Sequence, residues 1–150
     1  MGKSSRPNVF TKIFVALSII ISVLAFSSLF SYNIFKTLGY FCHQLPSRCF
    51  NINGNQMGIC CRCMGLYLGV SLYGLYMLRG KQSVYIILSG FSAAAATIHC
   101  KINGIETNNI SRFLSGALVG ATVVFFFDLL TSVIATSYLK ILHYIDTKLS

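Results

Sequence analysis

Charge is scarce in this sequence, and negative charge is scarcer still. Twelve lysines and arginines face three aspartates and glutamates in 150 residues; charged side chains make up 10% of the chain and hydrophobic ones 55%. The mean hydropathy is +0.70. A water-soluble domain carries about 25% charged residues, and so small a set cannot coat a 16.5 kDa body in water. A cytosolic enzyme, a secreted disulfide-stapled miniprotein and a disordered tail are all excluded, which leaves lipid as the solvent for most of the surface. The net charge of +9 does not restore a nucleic-acid reading, because the basic residues form neither a run nor a stripe. They punctuate apolar segments, as snorkelling and topology-setting residues do. Anionic lipid headgroups are the partners that such an excess suits.

The apolar segments predict an all-α integral membrane bundle, a single domain over residues 1–150 with about four crossings. The first span covers residues 13–35 and contains no charge. It follows Lys3, Arg6 and Lys12, and Ala25-Phe26-Ser27 would pass as a signal-peptidase site. The stretch is longer than a usual signal-peptide core, however, so a retained span is expected. The other spans are 57–78, 83–98 (with an Ala93–Ala96 run suited to close helix packing) and 113–139. Placing both termini in the cytoplasm puts Lys3, Arg6, Lys12, Arg79, Lys81, Lys140 and Lys148 inside, against Lys36, Arg48, Arg62, Lys101 and Arg112 outside. A multi-pass protein of the inner (plasma) membrane follows. Its outer loops, 36–56 and 99–112, then share one end of the bundle with the start of the second span, and the unusual polar residues gather there.

Six cysteines occupy positions 42, 49, 60, 61, 63 and 100, and histidines stand at 43, 99 and 143. Cys60-x-x-Cys63 holds two thiolates within reach of one soft metal ion. On a helix the two lie about 60° apart and share a face. Cys42 and His43 complete a three-cysteine, one-histidine set that suits zinc best. A thiol–disulfide pair in an oxidising compartment and inert cysteines packed as small hydrophobes are the alternative readings. His99-Cys100 can add ligands, whereas His143 falls on the cytoplasmic tail as an interfacial residue.

Arg48, Arg62 and Arg112 stand at the membrane boundary with Gln44, Asn103, Asn108 and Asn109 in the same end loops, and Glu106 is the one carboxylate on that side. Guanidiniums facing so little negative charge point to an anionic ligand such as a phosphate or carboxylate. Gly65-x-x-x-Gly69 and Gly116-x-x-x-Gly120 are close-packing ridges in spans two and four. If they pack together, Arg62 and Arg112 meet at the outer end of the seam. The same ridges would equally serve a homo-oligomer. Asp128 interrupts the fourth span and is a candidate for proton or cation handling, unless it faces Thr131 or Ser132 or lies near the cytoplasmic edge.

Cys42-His43-Gln44-Leu-Pro-Ser-Arg48, Cys60-Cys-Arg62-Cys63-Met-Gly65-Leu-Tyr-Leu-Gly69, and Asn103-Gly104 with Asn108-Asn109-Ile-Ser-Arg112-Phe-Leu-Ser-Gly116 together resemble the domain-of-unknown-function family 2085. The resemblance covers about residues 40–120, in register. It implies a small multi-span bacterial or archaeal membrane protein and supplies no reaction. Asn103 departs from the family's usual aspartate, and Cys49 and Cys61 stand where the family tends to have serine and alanine.

The expected protein therefore carries a zinc-type site of Cys42, His43, Cys60 and Cys63. That site braces a pocket in which Gln44, Arg48, Arg62, Asn103, Asn109 and Arg112 hold an anionic ligand, a lipid phosphate being one candidate. Whether catalysis occurs there is left open. One rival is a membrane thiol–disulfide oxidoreductase using Cys60 and Cys63 with a quinone acceptor; another is a soft-metal transporter drawing on Cys61, Cys100 and Asp128.

Overall fold

The computed structural model describes residues 7–149, at 142, 143 and 147–149 through the backbone alone. Lys3, Arg6 and the side chains of His143 and Lys148 lie outside the described residues. Helix α1 (Val9–Ser27) is followed by the short α2 (Tyr32–Leu38), a 3-10 turn (Pro46–Arg48), strands β1 (Cys49–Ile52) and β2 (Asn55–Cys60), and helices α3 (Cys61–Leu78), α4 (Val84–Ile102) and α5 (Asn109–Leu149). Four of these helices, α1, α3, α4 and α5, are long and apolar enough to cross a membrane. The bundle has the expected number of spans.

Two boundaries differ from the hydropathy reading. The uncharged run 13–35 is not one helix. Ser28 donates its hydroxyl to the Ala25 carbonyl at 2.6 Å and accepts the Gly58 amide at 2.8 Å, so the chain turns out of α1 where β2 arrives. Residues 57–60, expected at the start of the second span, instead belong to a hairpin. Its two-residue loop, Asn53-Gly54, has φ of 51° and 83°, the left-handed pair that lets the flanking strands keep their twist. The register pairs Ile52 with Asn55 and Cys49 with Cys60. The inner side of β2 buries Met57 and Ile59 against Ala25, Leu38, Cys42 and Met64.

The glycine ridges meet within the chain. A methyl at Gly65 would land on the Phe113 carbonyl and one at Gly69 on that of Ala117; reciprocally, Gly116 lies on the Arg62 carbonyl and Gly120 on that of Leu66. No side chain fits there. Below this seam Val15, Val70, Tyr73, Met77, Ala121 and Val124 form a second core where α1 joins α3 and α5. Helix α4 touches the bundle along one thin line. Gly90 receives the Thr122 side chain, whereas Ala95 and Ala96, expected at a tight interface, are exposed.

Arg62 and Arg79 bracket α3 at about 25 Å along its axis, close to the thickness of a hydrocarbon layer. Asp128 lies at the Arg79 end. It is buried and accepts the Thr11 hydroxyl at 2.7 Å and the Asn8 amide at 3.3 Å, while the Asn8 side chain reaches Ser132 at 2.8 Å. Asn8 is the residue preceding α1, so the carboxylate satisfies a donor left free at a helix start. The residue marks the edge of the bundle on α5 and joins that edge to the first turn of α1. Replacing it with leucine strands both donors, at about 1–3 kcal/mol each. Asp128→Leu is expected to melt well below the native protein in detergent, with Asp128→Asn, which keeps one acceptor, in between.

Candidate metal centre

Three elements deliver the sulfurs. Cys42 ends the turn after α2, held by its amide on the Leu38 carbonyl at 3.1 Å. Cys60 closes β2 in extended conformation and caps α3, and Cys63 sits in the first turn of that helix. Cys60 is therefore not on the helix with Cys63, and the hairpin turns it toward Cys42. The Cys42 and Cys63 sulfurs are 4.0 Å apart, and all three sulfurs lie within 4.8 Å of one another. A tetrahedral ion with 2.3 Å metal–sulfur bonds needs sulfurs about 3.8 Å apart, so the triangle fits after a small closure. The Cys60 amide donates to the Cys42 sulfur at 3.2 Å.

The electrostatics favour a thiolate here. The adjoining Cys63 thiol holds Cys60 down to about 5, against the opposing effect of burial; the Cys63 amide at the open start of α3, the Cys42 thiol and the Arg62 amide add to it. Cys49, opposite Cys60 in the hairpin, is pushed up to about 11, mainly by burial, and is a neutral thiol. A cavity of about 250 Å³ opens onto the sulfurs, lined by Phe41, His43, Leu45 and Arg48 as well as by the cysteines of the triangle. His43 is exposed on this wall and is not a member of the sulfur triangle.

The other expected site residues have different duties. Gln44, with φ of 47°, donates its amide to the Phe35 carbonyl at 2.6 Å and the Gly58 carbonyl at 2.8 Å, and its own carbonyl accepts Gln56 at 2.7 Å. It staples the Cys42 turn to α2 and β2. Arg112 spends its donors on Thr107 at 3.1 Å, Asn109 at 3.1 Å and the Ser47 carbonyl at 3.3 Å, and Asn109 donates to the Cys49 carbonyl at 3.2 Å. Together they tie the foot of the hairpin to α5. Asn103 closes α4 on the His99 carbonyl at 2.9 Å, and Asn108 accepts the Ser111 amide at 2.7 Å at the start of α5. Arg62 is exposed, its backbone at the end of the glycine seam. Of the three arginines, Arg48 lines the sulfur cavity, Arg112 bonds the carbonyl of the neighbouring Ser47, and the Arg62 backbone lies against Gly116, one turn from Arg112. Cys61 is buried, and His99 and Cys100 lie on the last turn of α4; none of them joins the triangle. Ser28 and Gln56, which no metal or anion motif singles out, both position the hairpin, and Asn53-Gly54 is the sequence signal for it.

Residues 42–126 match the model of a family described as predicted membrane protein, DUF2085, and this stretch holds all three sulfurs and the glycine seam. The chain belongs to the DUF2085 family. Among its relatives are two archaeal proteins described as uncharacterised. MJ1492 of Methanocaldococcus jannaschii is 36% identical over 94 residues, 57% of this chain and 60% of that protein. A protein of Methanothermobacter thermautotrophicus is 32% identical over 90 residues, 54% of this chain and 78% of that protein. The match thus spans about 60% of the length of the first of these DUF2085 relatives. No solved structure matches the chain.

Proposed function

We propose that this DUF2085 member is a plasma-membrane metal-binding protein. In this reading Cys42, Cys60 and Cys63 hold a zinc-type ion, and its fourth position faces the cavity walled by His43 and Arg48. The observation that carries the proposal is the sulfur triangle itself: soft donors from three separate elements, assisted by backbone amides, with one open side. Three protein ligands and an accessible fourth position are the pattern of sites that exchange a ligand rather than of purely structural ones. Arg48 supplies the positive charge that an anion entering from the membrane boundary would meet, and a phosphate, free or on a lipid, fits that chemistry.

Protein purified from membranes is expected to carry about one equivalent of metal. After exchange to cobalt(II), inorganic phosphate should shift the visible bands of the native protein and leave those of Arg48→Met unchanged. Metal-free protein whose cysteines nevertheless stay fully reduced would count against the proposal.

The second reading, thiol–disulfide exchange, draws on the acidic Cys60 beside Cys63. Two thiols would lose two electrons and two protons to a quinone, giving a disulfide and a quinol. Absence of metal, combined with two thiols that cycle under mild reductant, would favour it. The transporter reading draws on Asp128, which bonds Thr11 of α1, and on Cys100, which lies outside the sulfur group.

A further inference from the structure

Helix α5 has 41 residues, about 60 Å, twice what a hydrocarbon layer requires. The bundle ends on it at Asp128, where α1 begins. Past that point every residue from Val133 to Ile141 is exposed. Leu130, Ile134, Tyr138, Ile141 and Ile145 recur along one side, with exposures of 58, 59, 61, 58 and 47%. Ser132, Thr136 and Lys140 recur on the opposite side. Standing in water, such a surface would be costly at roughly 25 cal/mol per Å².

We propose that residues 129–149 form a membrane-surface helix that folds over onto the anionic headgroups of the adjoining leaflet. Two observations select lipid. The boundary beside this segment carries Lys12, Arg79 and Lys81, and Lys140 lies on the segment's own polar side; among the described residues these outnumber the exposed Asp146, so the charge complements an anionic surface. The place to bend is present. Thr131 turns its hydroxyl back to the Phe127 carbonyl at 2.9 Å and Thr136 to the Ser132 carbonyl at 2.8 Å, bonds that weaken the helical ladder and favour bending.

The chain contains no tryptophan, so Ile141→Trp supplies a sole indole reporter. The full-length variant is reconstituted in phosphatidylcholine–phosphatidylglycerol vesicles with brominated acyl chains. Blue-shifted emission, quenched by the bromine and less so when phosphatidylglycerol is omitted or Lys140→Glu is added, is the expected result. Red-shifted emission quenched by aqueous iodide would overturn the proposal. So would blue-shifted emission that bromine does not quench and that varies with the protein-to-lipid ratio, the signature of a second copy. Bromine quenching indifferent to both phosphatidylglycerol and Lys140→Glu would overturn the assignment to anionic headgroups. Tyr138→Trp, on the same side one turn earlier, repeats the measurement at an independent position.

Discussion

Gly69→Leu is expected to abolish the folded bundle. A side chain at this position has nowhere to go, because the first atom it would meet is the Ala117 carbonyl of α5, and backbone cannot rotate aside as a side chain can. Overpacking against movable neighbours costs about 1–3 kcal/mol. Here α3 and α5 would have to separate along the whole seam, losing the neighbouring contacts at Gly65, Gly116 and Gly120 as well. A cost of more than about 4 kcal/mol is the reasonable scale. Size-exclusion chromatography and thermal melting in detergent should show an aggregated or absent Gly69→Leu protein. Gly54→Ala is the control. Open space surrounds it, and only its φ of 83° is unfavourable, at about 1–2 kcal/mol. Comparable behaviour of the two variants would mean that α3 and α5 do not meet as described.

The second large effect concerns the proposed metal site. Removing the Cys63 sulfur leaves two ligands from two different elements and an open half-shell. Loss of an outer partner of a ligand already weakens metal binding about 10–100-fold, and loss of a ligand in Cys63→Ala should exceed about 100-fold. Competition with a chromophoric chelator reads this directly. Cys100→Ala, on α4 outside the triangle, should bind as the native protein does. The pH dependence has a definite sign. Cys60 is held below the ordinary thiol range, at about 5, so its thiolate persists at neutral pH, and protons compete as pH falls through that value. Metal should be retained at pH 7 and lost on acidification, and release that begins near pH 8 would contradict a Cys60 held below the ordinary thiol range.

Much of this architecture is legible in the sequence, and the rest is hidden for identifiable reasons. Length and apolarity reveal the four candidate spans because, among the described residues, four helices are long and apolar enough to cross lipid. The sulfur triangle is legible from the Cys60-x-x-Cys63 spacing and from Cys42 across a short linker. What the spacing cannot show is that Met57 and Ile59 turn inward on a strand. Four apolar residues ahead of a helix look like its first turn, so the hairpin merges with the span, and the helical-face argument for Cys60 fails with it. His43 shares a motif with Cys42, but neighbours in an extended turn point different ways, and the imidazole ends on the cavity wall. Arg112 and Asn109 suggest a ligand because sequence offers them no partner. The partners are carbonyls at Ser47 and Cys49, which no residue pattern displays. Asp128 looks central to the fourth span because α5 carries no charge for the 11 residues from Leu129 to Leu139, past the edge of the bundle.

The positions of the sulfurs also explain why the hairpin is present at all. Cys60 must leave its strand and begin α3 within one residue, and Gln44 must hold the Cys42 turn against Gly58 for the third sulfur to arrive. A site assembled in this way depends on the tertiary fold, as metal sites coupled to folding do.

The most direct test is X-ray absorption at the metal edge on protein purified from membranes, with the Cys60→Ser variant alongside. Three sulfurs at about 2.3 Å and one oxygen or nitrogen ligand are predicted for the native protein, falling to two sulfurs or to no bound metal in the variant. A first shell made only of nitrogen and oxygen, or a native spectrum unchanged by Cys60→Ser, would contradict the account.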